Sequence, residues 1–226
     1  MARRPLVIFD MDGVLVDVRP SYHRTILETV RHFTGRRVSE DGIGRYKARA
    51  GFNDDWKLTH HWIRELGARV SLGEVIAHFQ SLYLGTKFRG YIRRERWLAD
   101  RRRLRRLGAG ADLAIFTGRP RAEALFTLEH FGVRQRFDEV VALEDVARSK
   151  PHPEGLLRLT KGRRREEVIY AGDTADDALA ARRARVNFVA VLDPAAPRRR
   201  LREREMVRMG ARGVVRSVNE IGDWMP

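Results

Sequence analysis

The chain has 226 residues, 43% hydrophobic and 33% charged, which suits a folded protein with a real core and excludes composition-driven disorder. With no cysteine, it can form no disulfide, thiol nucleophile or thiolate metal site. The formal net charge is +15, and only five of the 45 basic residues are lysines.

The arginines are spread along the whole chain, in runs such as RRERWLADRRRLRRL (93–107) and PRRRLRERE (197–205). That distribution reads as a solvated basic face, one that would also draw in small anions. No apolar run approaches the ~18–20 residues needed to span a bilayer. The opening MARRPLVIF has no signal-peptide core, because its apolar stretch runs straight into Asp10. The expectation is a cytoplasmic protein with no membrane partner.

The first element is LVIF (6–9), a short, purely apolar run of the kind a parallel strand shows when both its faces are covered. Asp10 closes it and Asp12 follows, with Gly13 permitting a tight bend. Two acids at a strand's carboxyl end could form a metal site, an acid/base pair or a nucleophile with its helper; Asp17, at the end of the stretch, reads as a loop or helix-terminal residue. A segment of helical periodicity follows. Tyr22, Ile26, Val30 and Phe33 share one face, as do Leu58, Trp62, Ile63 and Leu66. Leu72, Val75, Ile76, Phe79, Leu82 and Tyr83 share another behind Ser71, a candidate N-cap. The segment is too long for one crossover, so a helical domain over 18–89 is expected to interrupt a core made of 1–17 and 90–226.

Within that insert, Arg45, Lys47, Arg49, Asn53 and Asp54 surround RAGFND (49–54), read either as a loop that selects the substrate or as a plain surface turn. The histidines show no ligand spacing. Beyond the insert, DLAIF (112–116), EVVAL (139–143), EVIYA (167–171) and NFVAVL (187–192) alternate with helical segments such as RAEALFTLEHF (121–131) and TADDALAARRA (174–184). This alternation predicts an α/β fold with a doubly wound parallel sheet, and GVVRS (213–217) could add an edge strand.

Ligands of such sheets bind beyond the carboxyl ends of the strands, and chemistry-bearing residues gather there. Thr117 and Gly118 follow the second run and offer a hydroxyl and backbone N–H groups to a phosphate oxygen. Arg119 either touches the same phosphate or caps the next helix against solvent. Lys150 lies in RSKPHPE (148–154), between flanking prolines. Asp173 and Asp177, four apart, follow the fourth run.

DMDGVLVD (10–17), TGR (117–119), KPHP (150–153) and GDTADD (172–177) together resemble the four signature motifs of the haloacid dehalogenase-like hydrolase superfamily. The helical insert resembles the branch that includes phosphoglycolate phosphatase and β-phosphoglucomutase, and AGFNDDW (50–56) is similar to a segment of a bacterial and plant phosphatase-like subfamily. The resemblance implies a Rossmann-like core with a helical cap and a Mg²⁺-dependent phosphatase acting on a small phosphorylated metabolite.

It also implies roles. Asp10 would be the nucleophile that carries a transient phosphoryl group, and Asp12 the general acid and base. Mg²⁺ would be held by Asp10, Asp173 and the backbone carbonyl of Asp12, with Asp177 orienting the site. Thr117, Gly118 and Lys150 would cradle the phosphate, with Arg119 as the further candidate named above. Relatives that displace halide lack the second acid, since halide needs no proton, so Asp12 favours phosphoryl transfer. Two other readings stay open, a phosphomutase with the same core and a basic nucleic-acid-binding module that keeps the fold. Neither an interleaved aromatic–basic groove nor a helix-turn-helix pattern supports the latter, so nucleic acid is not the expected partner. A homodimer is left open.

Overall fold

The computed structural model describes residues 4–47, 49, 52, 54–195 and 198–225. Two compact units emerge, one formed by 1–16 with 97–226 and the other by 17–96.

In chain order, β1 (Leu6–Phe9) leads through the acidic turn to β2 (Val16–Asp17). The second unit then carries α1 (Arg24–Thr34), α2 (Glu40–Lys47), α3 (Asp55–Glu65) and α4 (Leu72–Tyr83). The chain returns through β3 (Arg96–Trp97), which pairs with β2. There follow α5 (Arg101–Gly110), β4 (Asp112–Phe116), α6 (Arg121–His130), β5 (Glu139–Val141), α7 (Glu154–Leu159), β6 (Val168–Gly172), α8 (Ala175–Ala184), β7 (Asn187–Val191), α9 (Arg199–Arg208) and β8 (Gly213–Val215).

Six parallel strands form one sheet in the order β5-β4-β1-β6-β7-β8. β1 lies between β4 and β6, with Val7 level with Leu113 on one side and Ile169 on the other. The strands run to one side of β1 and then to the other, so a crevice opens at the carboxyl ends around β1. Every residue of β1 and β6 is buried, because helices cover both faces. Phe116, Tyr170 and Phe188 pack as tilted rings, with successive centroids 6.2 and 5.9 Å apart. Each such side chain contributes about 1.5–3 kcal/mol by leaving water.

In the helical unit, Ser71 and Glu74 form a reciprocal capping box at the start of α4. Tyr22 stacks on Tyr83 at 4.1 Å, and buried Glu95 accepts from the hydroxyls of Ser21 and Tyr83 at 3.2 and 2.9 Å. These bonds tie the segment before β3 to the helices, so the division between units falls after residue 96, where the sequence suggests 89. α2 is a second difference, since the sequence reading assigned no helix there. Gly42 and Gly44 weaken the local helix signal, but Gly42 lets the backbone approach the Trp62 ring, and Ile43 and Tyr46 bury their side chains. Acids in its first turn and cations in its last also suit the helix dipole.

Candidate active site

The acidic turn after β1 closes on itself. Leu15 and Val16 both donate to the carbonyl of Met11 at 2.9 Å, while Gly13 takes φ +77°. A side chain at Gly13 would collide with the Asp173 carboxylate, so only glycine suits both the backbone angle and the close approach. Asp10 remains in register with β6, donating its N–H to Ala171 O at 2.8 Å.

Lys150 follows β5 and is buried with its ammonium wholly committed. Nζ lies 2.8 Å from Asp10 Oδ1 and 2.7 Å from Asp177 Oδ1, donates to Tyr170 Oη at 3.3 Å, and sits 5.3 Å above the Phe116 ring. Burial works to lower its pKa, but Asp10 and Asp177 outweigh that and hold it above its ordinary value. Asp177 is the third residue of α8 and part of a capping box with Thr174. Its Oδ2 accepts from Thr174 Oγ1 at 2.6 Å and from the N–H groups of Thr174 and Asp173, while Oδ1 accepts from Tyr170 at 2.5 Å. Burial works to raise the Asp177 carboxyl, and Lys150, Thr174 and Tyr170 bring it below the usual value.

Asp10 differs. Burial pushes its pKa up, Lys150 opposes this, and Asp177, Asp12 and Asp173 add to the rise, leaving it well above the ordinary carboxylate value. One carboxylate oxygen from each of Asp10, Asp173 and Asp177 lies within 4.8 Å of the others. Such a set of hard oxygen donors suits Mg²⁺ or a similar divalent cation, and a positive charge there would relieve the repulsion that raises Asp10. The residues present therefore fit the ion that the motifs imply. The carboxylate of Asp12 is not one of this group.

Arg119 is 1% exposed, which rules out a helix cap facing solvent. Its Nε donates to Asp12 Oδ1 at 2.7 Å and its Nη2 to the same oxygen, while Nη1 donates to Thr127 Oγ1 on α6 at 3.0 Å. Thr117 is buried at the end of β4; its N–H donates to Val141 O at 3.0 Å and its hydroxyl accepts from the Arg119 N–H at 3.1 Å. Gly118 lies between them.

In the helical unit, exposed Arg45 and half-buried Lys47 belong to the last turn of α2, and Lys47 pairs with Asp55 at 3.0 Å. Asp54 is the N-cap of α3, accepting from the N–H groups of Trp56 and Lys57. Arg49 lies 5.5 Å over the Phe52 ring, and Asn53 lies outside the described residues. Asp17 is spent on Arg19, whose Nε is 2.8 Å from Oδ1.

Two residues of the site escaped the sequence reading. Tyr170 sits inside an apolar strand run, where a lone hydroxyl two residues before Gly172-Asp173 is the available signal. Arg202 of α9 donates to the backbone carbonyl of Asp173 at 2.9 Å, and nothing marks it out within its arginine run.

A profile described as haloacid dehalogenase-like hydrolase matches residues 5–185. The chain is 39% identical over 192 residues to pyrophosphatase PpaX of Halalkalibacterium halodurans, covering 82% of each protein. It is 34% identical over 197 residues to a Phytophthora nicotianae protein named imidazoleglycerol-phosphate dehydratase, covering 83% of this chain but 43% of that longer protein. Among solved structures, a predicted phosphoglycolate phosphatase from Haemophilus somnus matches with a TM-score of 0.78 at 20% identity, over 99% of both chains, a likeness of fold. No helix among the described residues is long and apolar enough to cross a membrane.

Proposed function

The chain belongs to the haloacid dehalogenase-like hydrolases, and from that premise we propose that it is a Mg²⁺-dependent phosphatase that hydrolyses a small phosphorylated metabolite through a phosphoryl group carried on Asp10. The observation that carries this reading is the meeting of Asp10, Asp173 and Asp177 oxygens within 4.8 Å, with Lys150 2.8 Å from Asp10.

Asp10, Asp173 and the backbone carbonyl of Asp12 would hold the ion, with Asp177 fixing the turn that presents Asp173. When bound, Mg²⁺ would supply the positive charge that lets an anionic carboxylate approach a phosphate dianion. Lys150 holds one oxygen of Asp10 and so fixes the carboxylate's orientation. A carboxylate oxygen of Asp10 forms a bond to phosphorus as the bond from phosphorus to the leaving oxygen breaks. Asp12 gives its proton to that leaving oxygen, a contribution typically worth about 10²–10⁴ in rate. The same carboxylate then takes a proton from water as the water oxygen bonds to phosphorus, releasing inorganic phosphate and restoring Asp10. Thr117 and the N–H of Gly118 would bind the transferring group's oxygens, while Lys150, whose ammonium is tied to Asp10 and Asp177, would neutralise charge building at the site without leaving those partners.

Purified protein should be screened against phosphorylated metabolites, with pyrophosphate included because one relative bears that name. Phosphate release is expected with Mg²⁺, and none in EDTA or from Asp10→Asn. Turnover retained by Asp10→Asn would reject the mechanism.

A further inference from the structure

We infer that Arg119 is a positioning residue that fixes the Asp12 carboxylate, and not a ligand of the substrate's phosphate. The inference rests on the reading of Asp12 as the acid and base of a phosphatase, and it names what holds that acid in place.

The geometry is specific. Nε and Nη2 converge on a single atom, Asp12 Oδ1, while Nη1 is tied to Thr127 Oγ1 at 3.0 Å. The backbone is anchored as well, since the Arg119 N–H donates to Thr117 Oγ1 at 3.1 Å and its carbonyl accepts from Leu143 N–H at 2.9 Å. All three guanidinium nitrogens are committed, and the side chain is 1% exposed. To reach a phosphate, Arg119 would have to abandon these bonds from inside the core.

Asp12 is the opposite case. Its side chain is 24% exposed on a turn, and no described residue other than Arg119 bonds its carboxylate. Two donors on Oδ1 fix the carboxylate plane and leave Oδ2 as the oxygen that carries the proton to and from the reacting group. A planar, preorganised fork suits this task better than an ammonium, which would be a point charge on a flexible stem. Misplacement of a catalytic group by about 1 Å can cost ~10²-fold.

The test compares Arg119→Met, Arg119→Lys and Thr127→Val, each first checked by circular dichroism. Substrates are p-nitrophenyl phosphate, whose leaving group needs little protonation, and the best alkyl phosphate from the metabolite panel. Arg119→Met should lose roughly 10–10²-fold in kcat on the alkyl ester and less than about 3-fold on the aryl ester. The inhibition constant for inorganic phosphate should change by less than about 2-fold. Arg119→Lys should recover part of the alkyl rate. Thr127→Val, which removes only the outer anchor, should show the same selectivity in milder form and serves if Arg119→Met does not fold. In an Asp12→Ala background, substituting Arg119 should cost nothing further.

Equal losses on both esters, or weakened phosphate inhibition in step with the rate loss, would overturn the inference. Its failure is separable from that of the phosphatase reading. Should Asp10→Asn abolish turnover and Asp12→Ala discriminate between the esters while Arg119→Met does not, the inference alone fails.

Discussion

Lys150→Met isolates the electrostatic core of this site. The ammonium lies 2.8 Å from Asp10 and 2.7 Å from Asp177, and the three side chains are 1%, 4% and 0% exposed. Methionine keeps most of the side chain's length and volume, so little of the cost should come from a cavity. What is lost is a buried ammonium facing two buried carboxylates. Removing one partner of a buried ion pair typically costs about 3–5 kcal/mol, because the remaining charge is stranded. Asp177 keeps its bonds from Thr174, Tyr170 and two backbone N–H groups. The lower end of that range, about 3 kcal/mol, is therefore expected. For a chain of this size that corresponds to a fall of about 6–12 °C in Tm. Thermal unfolding should be followed by circular dichroism at pH 8 in EDTA and again with excess Mg²⁺. The ion should raise the Tm of Lys150→Met more than that of the unaltered protein, since it supplies charge where charge has been removed. A loss under about 2 °C in EDTA, or an equal Mg²⁺ response in both proteins, would refute the account of Lys150 as the counter-charge.

Two other perturbations probe separate parts of the molecule. Gly13→Ala places a methyl group against the Asp173 carboxylate at φ +77°. It should cost about 1–2 kcal/mol in backbone strain alone and weaken Mg²⁺ binding measured by isothermal titration calorimetry; unchanged affinity would show that Asp173 tolerates displacement. His78 stacks on His32 with ring centroids 3.9 Å apart, and burial, then the neighbouring imidazole, lower its pKa. The folded chain thus resists a proton that the unfolded chain accepts, so stability falls as pH drops through the ordinary histidine range. The fall in Tm between pH 7.5 and pH 5.5 should be smaller in His78→Gln, and identical slopes would dismiss the pair as a source of acid sensitivity.

Much of the core was legible because parallel strands covered on both faces leave a local record. LVIF, DLAIF and EVIYA became β1, β4 and β6, and GVVRS supplied the edge strand β8. Ser71 marks the start of α4 in the sequence for a similar reason, as a cap is a local feature, and the structure adds Glu74 as its reciprocal partner. The helices α5 and α9 were harder to see, since their arginine runs obscure the few apolar positions, Leu104 and Met206, that each buries.

From sequence alone came the order of the strands along the chain and the four acidic, hydroxyl and basic motifs at their carboxyl ends. Only the tertiary structure decided which side chains answer which. Arg119 meets an aspartate 107 positions away, Lys150 bridges Asp10 and Asp177, and Arg202 reaches the Asp173 carbonyl. Strand formation depends on a few neighbouring residues, whereas these pairings depend on how each crossover packs its helix against the sheet, and no local pattern encodes that.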